Sequence, residues 1–316
     1  MYPRLSDLFR DLFGVNLPLP IYSFGFMVAL GLLAAAAVLR KELDRMHAAG
    51  QVGSVRVKGK DAKGREKVEQ APPSALVWTM MGIAAAVGVL GSKLLHILDY
   101  WGEFVENPGA MLLSASGLSF FGGLICASFA IAWYVHKKGL SIPRMADAIA
   151  PTLLLGYGIG RIGCYLAGDG DWGVCSDPAD KPGFLPTFLW TEDFPRNILG
   201  EDLAAQCPGG GVYPAMLYET FMALALFGVL WAVRKHPFKA GWLFSLYLVF
   251  AAVERFLIEF IRVNPDRVGT LSQAQLIAIG LFVLGLIGLA FFTRRAQPTP
   301  PAHGPTAAPN GAPAAA

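Results

Sequence analysis

Long apolar runs alternate along the chain with short polar connections that carry most of the basic residues. Seven of these runs approach or exceed the roughly 20 residues that cross a bilayer as a helix. They cover residues 20–40, 74–97, 118–136, 145–167, 213–233, 241–262 and 272–293. No run alternates apolar and polar residues as the strands of a membrane barrel do. The pattern therefore predicts an all-α polytopic membrane protein with about seven transmembrane helices.

The remaining segments are more polar. Residues 1–19 carry apolar side chains at helical spacing, which predicts an amphipathic arm that lies on the periplasmic surface of the membrane. Residues 99–117 are too polar to span and are predicted to be interfacial or re-entrant. Residues 296–316 are rich in proline and alanine, which predicts a disordered cytoplasmic tail. The single transmembrane domain is expected to cover residues 20–295.

Basic residues are distributed unevenly between the two longest connections, residues 41–73 and 168–212. Nine lysines and arginines lie between Arg40 and Lys67, whereas the second connection holds two basic residues against eight acidic ones. Basic loops tend to stay in the cytoplasm. The first loop is therefore predicted to be cytoplasmic and the second periplasmic, with the N-terminus outside and the C-terminus inside.

Composition agrees with a membrane protein and limits the other classes. The chain is 54% hydrophobic and 16% charged, whereas a soluble domain is about 25% charged. No nucleic-acid partner is expected. The four cysteines form no CxxC pair, which argues against a zinc or haem site; no metal site and no cofactor are expected. Cys175 and Cys207 share the loop at 168–212, where a disulfide can form if that loop lies outside the cell.

Ionisable residues interrupt several of the apolar runs. Residues 154–173, LLGYGIGRIGCYLAGDGDWG, place Arg161 among glycines, while Glu219 lies in the fifth run and Arg255 and Glu259 lie in the sixth. A charge at membrane depth costs about 2.5–3.5 kcal/mol even on lenient insertion scales. Each of these side chains is therefore expected to face a polar cavity and a partner.

The charges of the sixth run follow a helical pattern. Arg255 and Glu259 are four residues apart and share a face, which Arg262 extends, whereas Glu254 is predicted to point elsewhere. One interpretation of the shared face is a structural ion pair between helices. The presence of four charged residues on three helices at similar depth favours a second interpretation. This is a site for an anionic head group, in which the carboxylates orient the arginines and reduce the charge buried in the empty state.

Five segments, in order, resemble motifs of the prolipoprotein diacylglyceryl transferase family of bacteria. GRIGCYLAGDGDWG at 160–173 is similar to the family motif GRIGNFxNGExWG, and RFLIEFIR at 255–262 matches RFxxExxR. SGLSFFGGL at 116–124 resembles SFHGGL, YPAMLYE at 213–219 resembles HPxQLYE, and LSQAQ at 271–275 resembles LSxGQ. The order, the spacing and the seven-helix topology with an external N-terminus all agree with that family.

The resemblance implies an enzyme of the bacterial cytoplasmic (inner) membrane. It would transfer diacylglyceryl from phosphatidylglycerol to the lipobox cysteine of preprolipoprotein signal peptides, form a thioether and release glycerol 1-phosphate. Phosphatidylglycerol, these signal peptides and membrane lipids are the implied partners, and residues 20–295 become a catalytic domain. Arg161 and Arg255 correspond to the two essential arginines of the family, and Glu259 to the carboxylate near the second arginine.

The motifs also imply a set of residues that bind substrate. Besides the two arginines, it comprises the motif glycines and carboxylates Gly122, Gly123, Gly163, Gly168, Asp169 and Glu219. An extra residue within residues 160–173 leaves open whether Asp169 or Asp171 stands at the motif glutamate.

Several polar family positions are apolar or altered here, and one of them concerns the base. Phe121 replaces a histidine whose implied role is to deprotonate the thiol. Other departures are Phe24, Cys164, Tyr213 and Ala251. His96 is the nearest candidate base, although an interfacial histidine in water is an alternative interpretation. Alternatively, the phosphate or water accepts the proton from a thiol with a pKa of about 8.5.

Two further functions stay open beside the transferase, the first of them because of Phe121. One is a catalytically weak paralogue that binds phosphatidylglycerol or lipoprotein precursors. The other is a membrane transporter of small anions.

Overall fold

The structure is a computed structural model that describes residues 2–15, 21–60, 66–114, 119–262, 266–268 and 271–293. The described chain is mostly helical, as predicted. Five of its helices are long and apolar enough to cross a membrane, namely Ser23–Ala48, Pro73–Asp99, Ile142–Ala167, Ala215–Val233 and Gln273–Phe292. The predicted tail at 296–316 lies outside the described residues.

Each of the predicted apolar runs coincides with a helix. These helices are α2 (Ser23–Ala48), α3 (Val77–Asp99, after the 3-10 turn Pro73–Leu76), α6 (Phe120–Lys137), α7 (Ile142–Ala167), α9 (Ala215–Val233), α10 (Trp242–Ile258) and α11 (Gln273–Phe292). Shorter helices are α1 (Leu5–Phe13), α4 (Trp101–Glu106), α5 (Pro108–Leu113) and α8 (Leu203–Gln206). Thus α1 forms in the predicted arm, and α4 and α5 form in the stretch that was too polar to span.

Helix α2 continues past the end of its apolar run. The sequence predicted an end near residue 40, but the helix extends to Ala48. Buried side chains continue at helical spacing through this part, at Ala36, Leu39, Leu43 and Met46. The helix is therefore held by one periodic apolar face after its other faces have become polar.

A β-hairpin occupies much of the connection at 41–73, where the sequence predicted only a loop. Strand β1 (Val55–Lys60) pairs antiparallel with β2 (Glu66–Ala71), from Val55 opposite Ala71 to Lys60 opposite Glu66. Val55 is buried in a core that α2, α3, α6 and α7 also line. Two further short strands, β3 (Asp266–Val268) and β4 (Leu271–Ser272), precede α11.

Helix α7 is central to the packing, because it contacts α2, α9 and α10. Helix α10 also packs against α9 and α11, while α3 pairs mainly with α6. Small residues allow close approach at these contacts. A Cβ atom at Gly158 would lie 3.2 Å from Leu224 of α9, and one at Gly163 would lie 3.0 Å from Met27 Cβ of α2.

The connection at 168–212 folds over one end of these helices. The disulfide between Cys175 and Cys207 confirms the pairing that the sequence allowed, and the fully buried Phe194 packs on Trp172 with ring centroids 5.3 Å apart. Gly173 donates its N–H to the Tyr213 carbonyl at 2.8 Å.

The glycine at position 173 is required by this packing. A Cβ there would lie only 2.7 Å from the Ile261 carbonyl oxygen. The neighbouring Val174 donates its N–H to that same carbonyl at 2.7 Å. The segment around Asp171 is therefore fixed between the residues that precede α9 and those that follow α10.

Candidate active site

Arg161 lies in the last two turns of α7 and is largely buried. Its Nε lies 2.9 Å from Glu219 Oε2, and its Nη2 donates to Glu219 Oε1 at 3.1 Å. Its Nη1 pairs with Asp171. The guanidinium also lies over the ring of Tyr157, 5.2 Å from the centroid. The predicted partners of Arg161 are therefore present.

Glu219 is the centre of the cluster, and its side chain is fully buried in the first turns of α9. Besides Arg161, two other guanidinium groups approach its Oε1, with Arg262 Nη1 at 3.5 Å and Arg255 Nη1 at 3.7 Å. The hydroxyl of Tyr157 donates to the same oxygen at 3.0 Å. The Glu219 carboxylate thus contacts Arg161 of α7, Arg255 of α10 and Arg262, which follows α10.

Arg255 and Glu259, whose spacing predicted a shared helix face, form an ion pair at 2.7 Å. Glu259 is also held by α11, because the Ser272 hydroxyl donates to its Oε1 at 2.5 Å. Ser272 is the N-cap of α11 and forms a capping box with Gln275. The N-terminus of a helix favours a nearby carboxylate. The buried Glu259 therefore fixes one side of Arg255, whose side chain remains 31% exposed.

Asp171 bridges Arg161 and Arg262, the latter at 2.5 Å. Burial alone raises the pKa of its carboxyl, but the two guanidinium groups outweigh burial, and the pKa is lowered from its usual value. Asp169 instead accepts the backbone N–H of Asp171 at 3.4 Å. Of the two alternatives that the sequence left open, the structure places Asp171 against the arginines.

The prediction that Glu254 points elsewhere is wrong in one respect. Its buried carboxylate meets the hydroxyl of Tyr157 at 3.4 Å, and that hydroxyl also contacts Glu219. Glu254 is thus connected to the cluster through Tyr157. The sequence could not indicate this contact, because the two residues are 97 positions apart on different helices.

The charges of the ion-paired residues balance. Three arginines, at positions 161, 255 and 262, face the three carboxylates of Asp171, Glu219 and Glu259. Such compensation lowers the cost of burying each charge. Arg255 and Arg161 have 31% and 14% exposed side chains, against 12% for Arg262. The most accessible guanidinium is therefore the one best placed to turn towards an incoming anion.

Four glycines predicted to bind substrate pack closely against other parts of the protein. A Cβ at Gly122 would lie 2.6 Å from Leu95 Cβ, and one at Gly123 would lie 3.0 Å from the Gly88 carbonyl, both on α3. Gly163 faces α2, as described above. Gly168 ends α7 in a left-handed conformation with φ 61°, and its Cβ would lie 2.7 Å from Asn197 Cβ. All four therefore allow close backbone packing, and their role in substrate binding stays a prediction.

His96 does not join the arginine cluster. It is half-buried on α3, with its ring centroid 4.8 Å from that of Tyr100. Within the described ranges, no hydrogen bond or ion pair links it to the arginines. The side chain of Phe121 lies outside the described residues. The identity of the base stays a prediction.

Three members of the cluster were not among the predicted site residues, namely Tyr157, Arg262 and Ser272. Arg262 closes the RFxxExxR match and Ser272 lies in the LSQAQ segment, so the motifs contained a signal for both. Nothing in the sequence singled out Tyr157, because a tyrosine among apolar residues is ordinary in a membrane helix.

A metal ion fits this cluster less well than an anion does. Donor atoms of Cys164, Asp169 and Asp171 lie within 4.8 Å of one another. Asp171 already pairs with two arginines, whose positive charge would repel a cation. Guanidinium groups instead match the planar oxygens of carboxylates and phosphates.

The fold and the site define a multi-helix membrane protein with a buried cluster of arginines and carboxylates suited to an anionic ligand. The sequence model for prolipoprotein diacylglyceryl transferases matches residues 11–291. The chain belongs to this family, as its motifs indicated.

Relatives from three bacteria share most of the chain, and each is named phosphatidylglycerol–prolipoprotein diacylglyceryl transferase. The protein of Clostridium tetani is 29% identical over 284 residues, which are 89% of this chain and 96% of the relative. That of Dehalococcoides mccartyi is 33% identical over 211 residues, or 66% and 74% of the two chains. That of Bacillus cereus is 25% identical over 271 residues, or 85% and 87%.

Proposed function

We propose that this protein transfers the diacylglyceryl group of phosphatidylglycerol to the lipobox cysteine of preprolipoproteins and forms a thioether. The observation that carries the proposal is the convergence of three guanidinium groups on the buried Glu219. A phosphodiester carries one negative charge, which arginines bind well. Family membership supplies the reaction that such a site serves.

Arg161 and Arg255 are the proposed phosphate ligands. Arg255 has the more exposed side chain and lies 3.7 Å from Glu219, so it can exchange that contact for a phosphate oxygen. Glu259 orients Arg255, and Glu219 holds both arginines while the site is empty. Asp171, rather than Asp169, is proposed to position Arg161 from the loop. The close glycine contacts described above give the helices their fixed spacing.

The proposed reaction is a displacement at the glycerol carbon that bears the phosphate. The thiol loses its proton, because the thiolate is the nucleophile. A C–S bond then forms while the C–O bond to phosphate breaks, and the electron pair goes to the phosphate oxygen of glycerol 1-phosphate. The arginines stabilise the charge that develops on that oxygen.

The proposed setting is the bacterial cytoplasmic membrane, crossed seven times, with the N-terminus outside and the C-terminus inside. Five helices meet the length and hydropathy expected of a span, and α6 and α10 occupy the other two predicted runs. The bias of basic residues towards the loop at 41–73 supports the orientation. Helix α1, with Phe9, Leu12 and Phe13 exposed, supports a surface arm over residues 1–19.

The direct test is mass spectrometry of a synthetic lipobox peptide after incubation with the purified protein and phosphatidylglycerol. A mass gain of one diacylglyceryl group on the cysteine is expected. A peptide with serine at that position is the matched control and should stay unmodified. An unmodified cysteine peptide, with a bacterial relative active in the same assay, would reject the proposed function.

A further inference from the structure

Tyr157 and Glu254 form a polar pair beside the arginines that the proposed phosphate site does not use. The Tyr157 hydroxyl lies 3.0 Å from Glu219 Oε1 and 3.4 Å from Glu254 Oε1. Glu254 is 5% exposed. In the described part of the chain, arginines form ion pairs with Glu219, Asp171 and Glu259, whereas the contact of Glu254 is the phenol. A buried carboxylate with this single partner requires an explanation.

Tyr157, Glu219 and Glu254 can share a variable number of protons. The phenol carries one proton and can donate it to one carboxylate at a time. When it donates to Glu219, Glu254 faces an oxygen lone pair, and a proton on Glu254 would turn that contact into a second hydrogen bond. The three groups can therefore hold one proton or two. The additional proton belongs on Glu254, because the arginines already compensate Glu219.

The charged groups around Glu254 are compatible with both its ionised and its protonated form. The positive charges of Arg161 and Arg255 stabilise the ionised carboxylate of Glu254, whereas the negative charge of Glu219 destabilises it. The other titratable side chain that faces it from α10 is Tyr247. Helix α11 contributes no titratable side chain between Gln273 and Phe292. Glu254 therefore has nearby positive charge when ionised, without a direct guanidinium contact that would keep it ionised.

The position of the pair fits a proton acceptor for the attacking thiol. In a bilayer the acyl chains point inward, so the glycerol carbon of a lipid lies on the membrane side of its phosphate. A displacement proceeds in line, and the nucleophile approaches opposite the leaving phosphate. Tyr157 precedes Arg161 by one helical turn on α7, which is about 6 Å towards the middle of the helix. Its backbone therefore lies on the side from which the thiol would attack, and its hydroxyl contacts the same Glu219 oxygen as Arg161, beside the proposed phosphate site.

We propose that Glu254 accepts the thiol proton through Tyr157, an inference that rests on the proposed transferase function. The S–H bond breaks as its proton moves to the phenol oxygen, and the phenol proton moves to Glu254. The C–S bond forms, the C–O bond breaks, and the electron pair goes to the phosphate oxygen. Glu254 afterwards returns its proton to water or to the departed phosphate. No other reagent is needed.

The test is a pH–rate profile of Glu254→Gln, which keeps the shape of the side chain but cannot accept the proton. Initial rates of transfer from phosphatidylglycerol micelles to a lipobox peptide are measured from about pH 6 to about pH 9.5, on either side of the free thiol pKa of about 8.5. The rate constant kcat of this variant should fall about 100-fold or more near neutral pH. It should then rise about tenfold per pH unit as the solvent supplies thiolate, while KM for the lipid stays unchanged.

A matched control is the hydrogen bond that a second tyrosine of α7 makes to a glutamate of the loop at 168–212. The Tyr165 hydroxyl donates to Glu192 at 3.3 Å, two turns away from Tyr157 on α7. Tyr165→Phe and Glu192→Gln remove an equivalent hydrogen bond outside the arginine cluster and should keep the wild-type profile. If Glu254→Gln fails to fold, Tyr157→Phe provides the same test, because it interrupts the path of the proton.

Two outcomes would overturn the role of Glu254. One is a wild-type rate and profile in Glu254→Gln. The other is an equal loss of activity at every pH together with a raised KM for the lipid, which indicates a structural role. In both cases the wild-type protein still lipidates the peptide. A wild-type protein that leaves the peptide unmodified rejects the transferase function itself, so the two failures are distinguishable.

Discussion

Glu219 is the residue on which the whole cluster depends. Its carboxylate faces the guanidinium groups of Arg161, Arg255 and Arg262, and it has no exposed surface. Removing one partner of a buried ion pair costs about 3–5 kcal/mol, since the other charges lose their compensation. The site and the stability of the helix bundle are therefore linked through this side chain.

We expect Glu219→Gln to lower the thermal unfolding midpoint in detergent markedly, because it keeps the shape of the side chain and removes its charge. The measurement is thermal unfolding of the purified protein. Glu201→Gln in the loop at 168–212, where the residue is exposed, is the control and should unfold as the wild type does. Equal midpoints for the Glu219 variant and the wild type would contradict the central position assigned to this carboxylate.

At the scale of residues, the spacing along the sequence predicted only contacts within one helix. Arg255 and Glu259 are four residues apart on one helix, so their pairing followed from helical geometry. Arg161 and Glu219 are separated by 58 positions, and their contact depends on how α7 packs against α9. The family motifs marked both residues as important, but neither motif nor spacing indicated that they touch.

At the scale of elements, hydropathy located the helices better than it located their ends. It found each apolar run, but it missed the last turns of α2, which are held by one buried face. It also missed the hairpin of β1 and β2, because these two strands carry few apolar residues, Val55, Val57, Val68 and Ala71, among charged ones. The positions of the glycines in the sequence likewise do not indicate whether they face a ligand or another helix.

The close packing of α3 on α6 can be tested at Gly91. A Cβ at this position would lie 2.5 Å from Cys126 Cβ and 2.6 Å from the Gly122 carbonyl. Overpacking of this kind typically costs about 1–3 kcal/mol. We expect Gly91→Ala to lower the thermal midpoint of the purified protein by several degrees.

Gly82 on the same helix provides the control for this substitution, because a Cβ there meets nothing within 4 Å. Gly82→Ala should therefore leave the midpoint unchanged or raise it slightly. If Gly91→Ala proved as stable as Gly82→Ala, then Gly122 would not be a packing residue, and the substrate role predicted from its motif would gain support.

At the scale of the whole molecule, the orientation in the membrane is open to direct measurement. We expect reporters fused after Lys60 or after Arg295 to report a cytoplasmic location, and one inserted near Pro182 to report a periplasmic one. The reason is the excess of basic residues on one side, with nine from Arg40 to Lys67 against two between residues 168 and 212. A cytoplasmic signal near Pro182 would overturn both the number of spans and the proposed side of the site.

The periplasmic placement agrees with the disulfide of the same loop. Cys175 and Cys207 are bonded, and disulfides persist in oxidising compartments. The loop carries Asp171 to Arg161 and Arg262, so folding of the loop and assembly of the arginine cluster occur on the same side of the membrane. The sequence predicted the side of this loop from its charges, while the contact of Asp171 with the arginines required the structure.

The central claim is that the arginines around Glu219 hold the lipid phosphate during transfer. The measurement that tests it most directly is the transfer rate of Arg161→Ala and Arg255→Ala, beside Arg196→Ala as a control from an exposed ion pair with Asp11. Both cluster variants should insert normally and lose transfer, whereas Arg196→Ala should remain active, because only the cluster arginines stabilise the leaving phosphate. Wild-type transfer by either cluster variant would contradict the account.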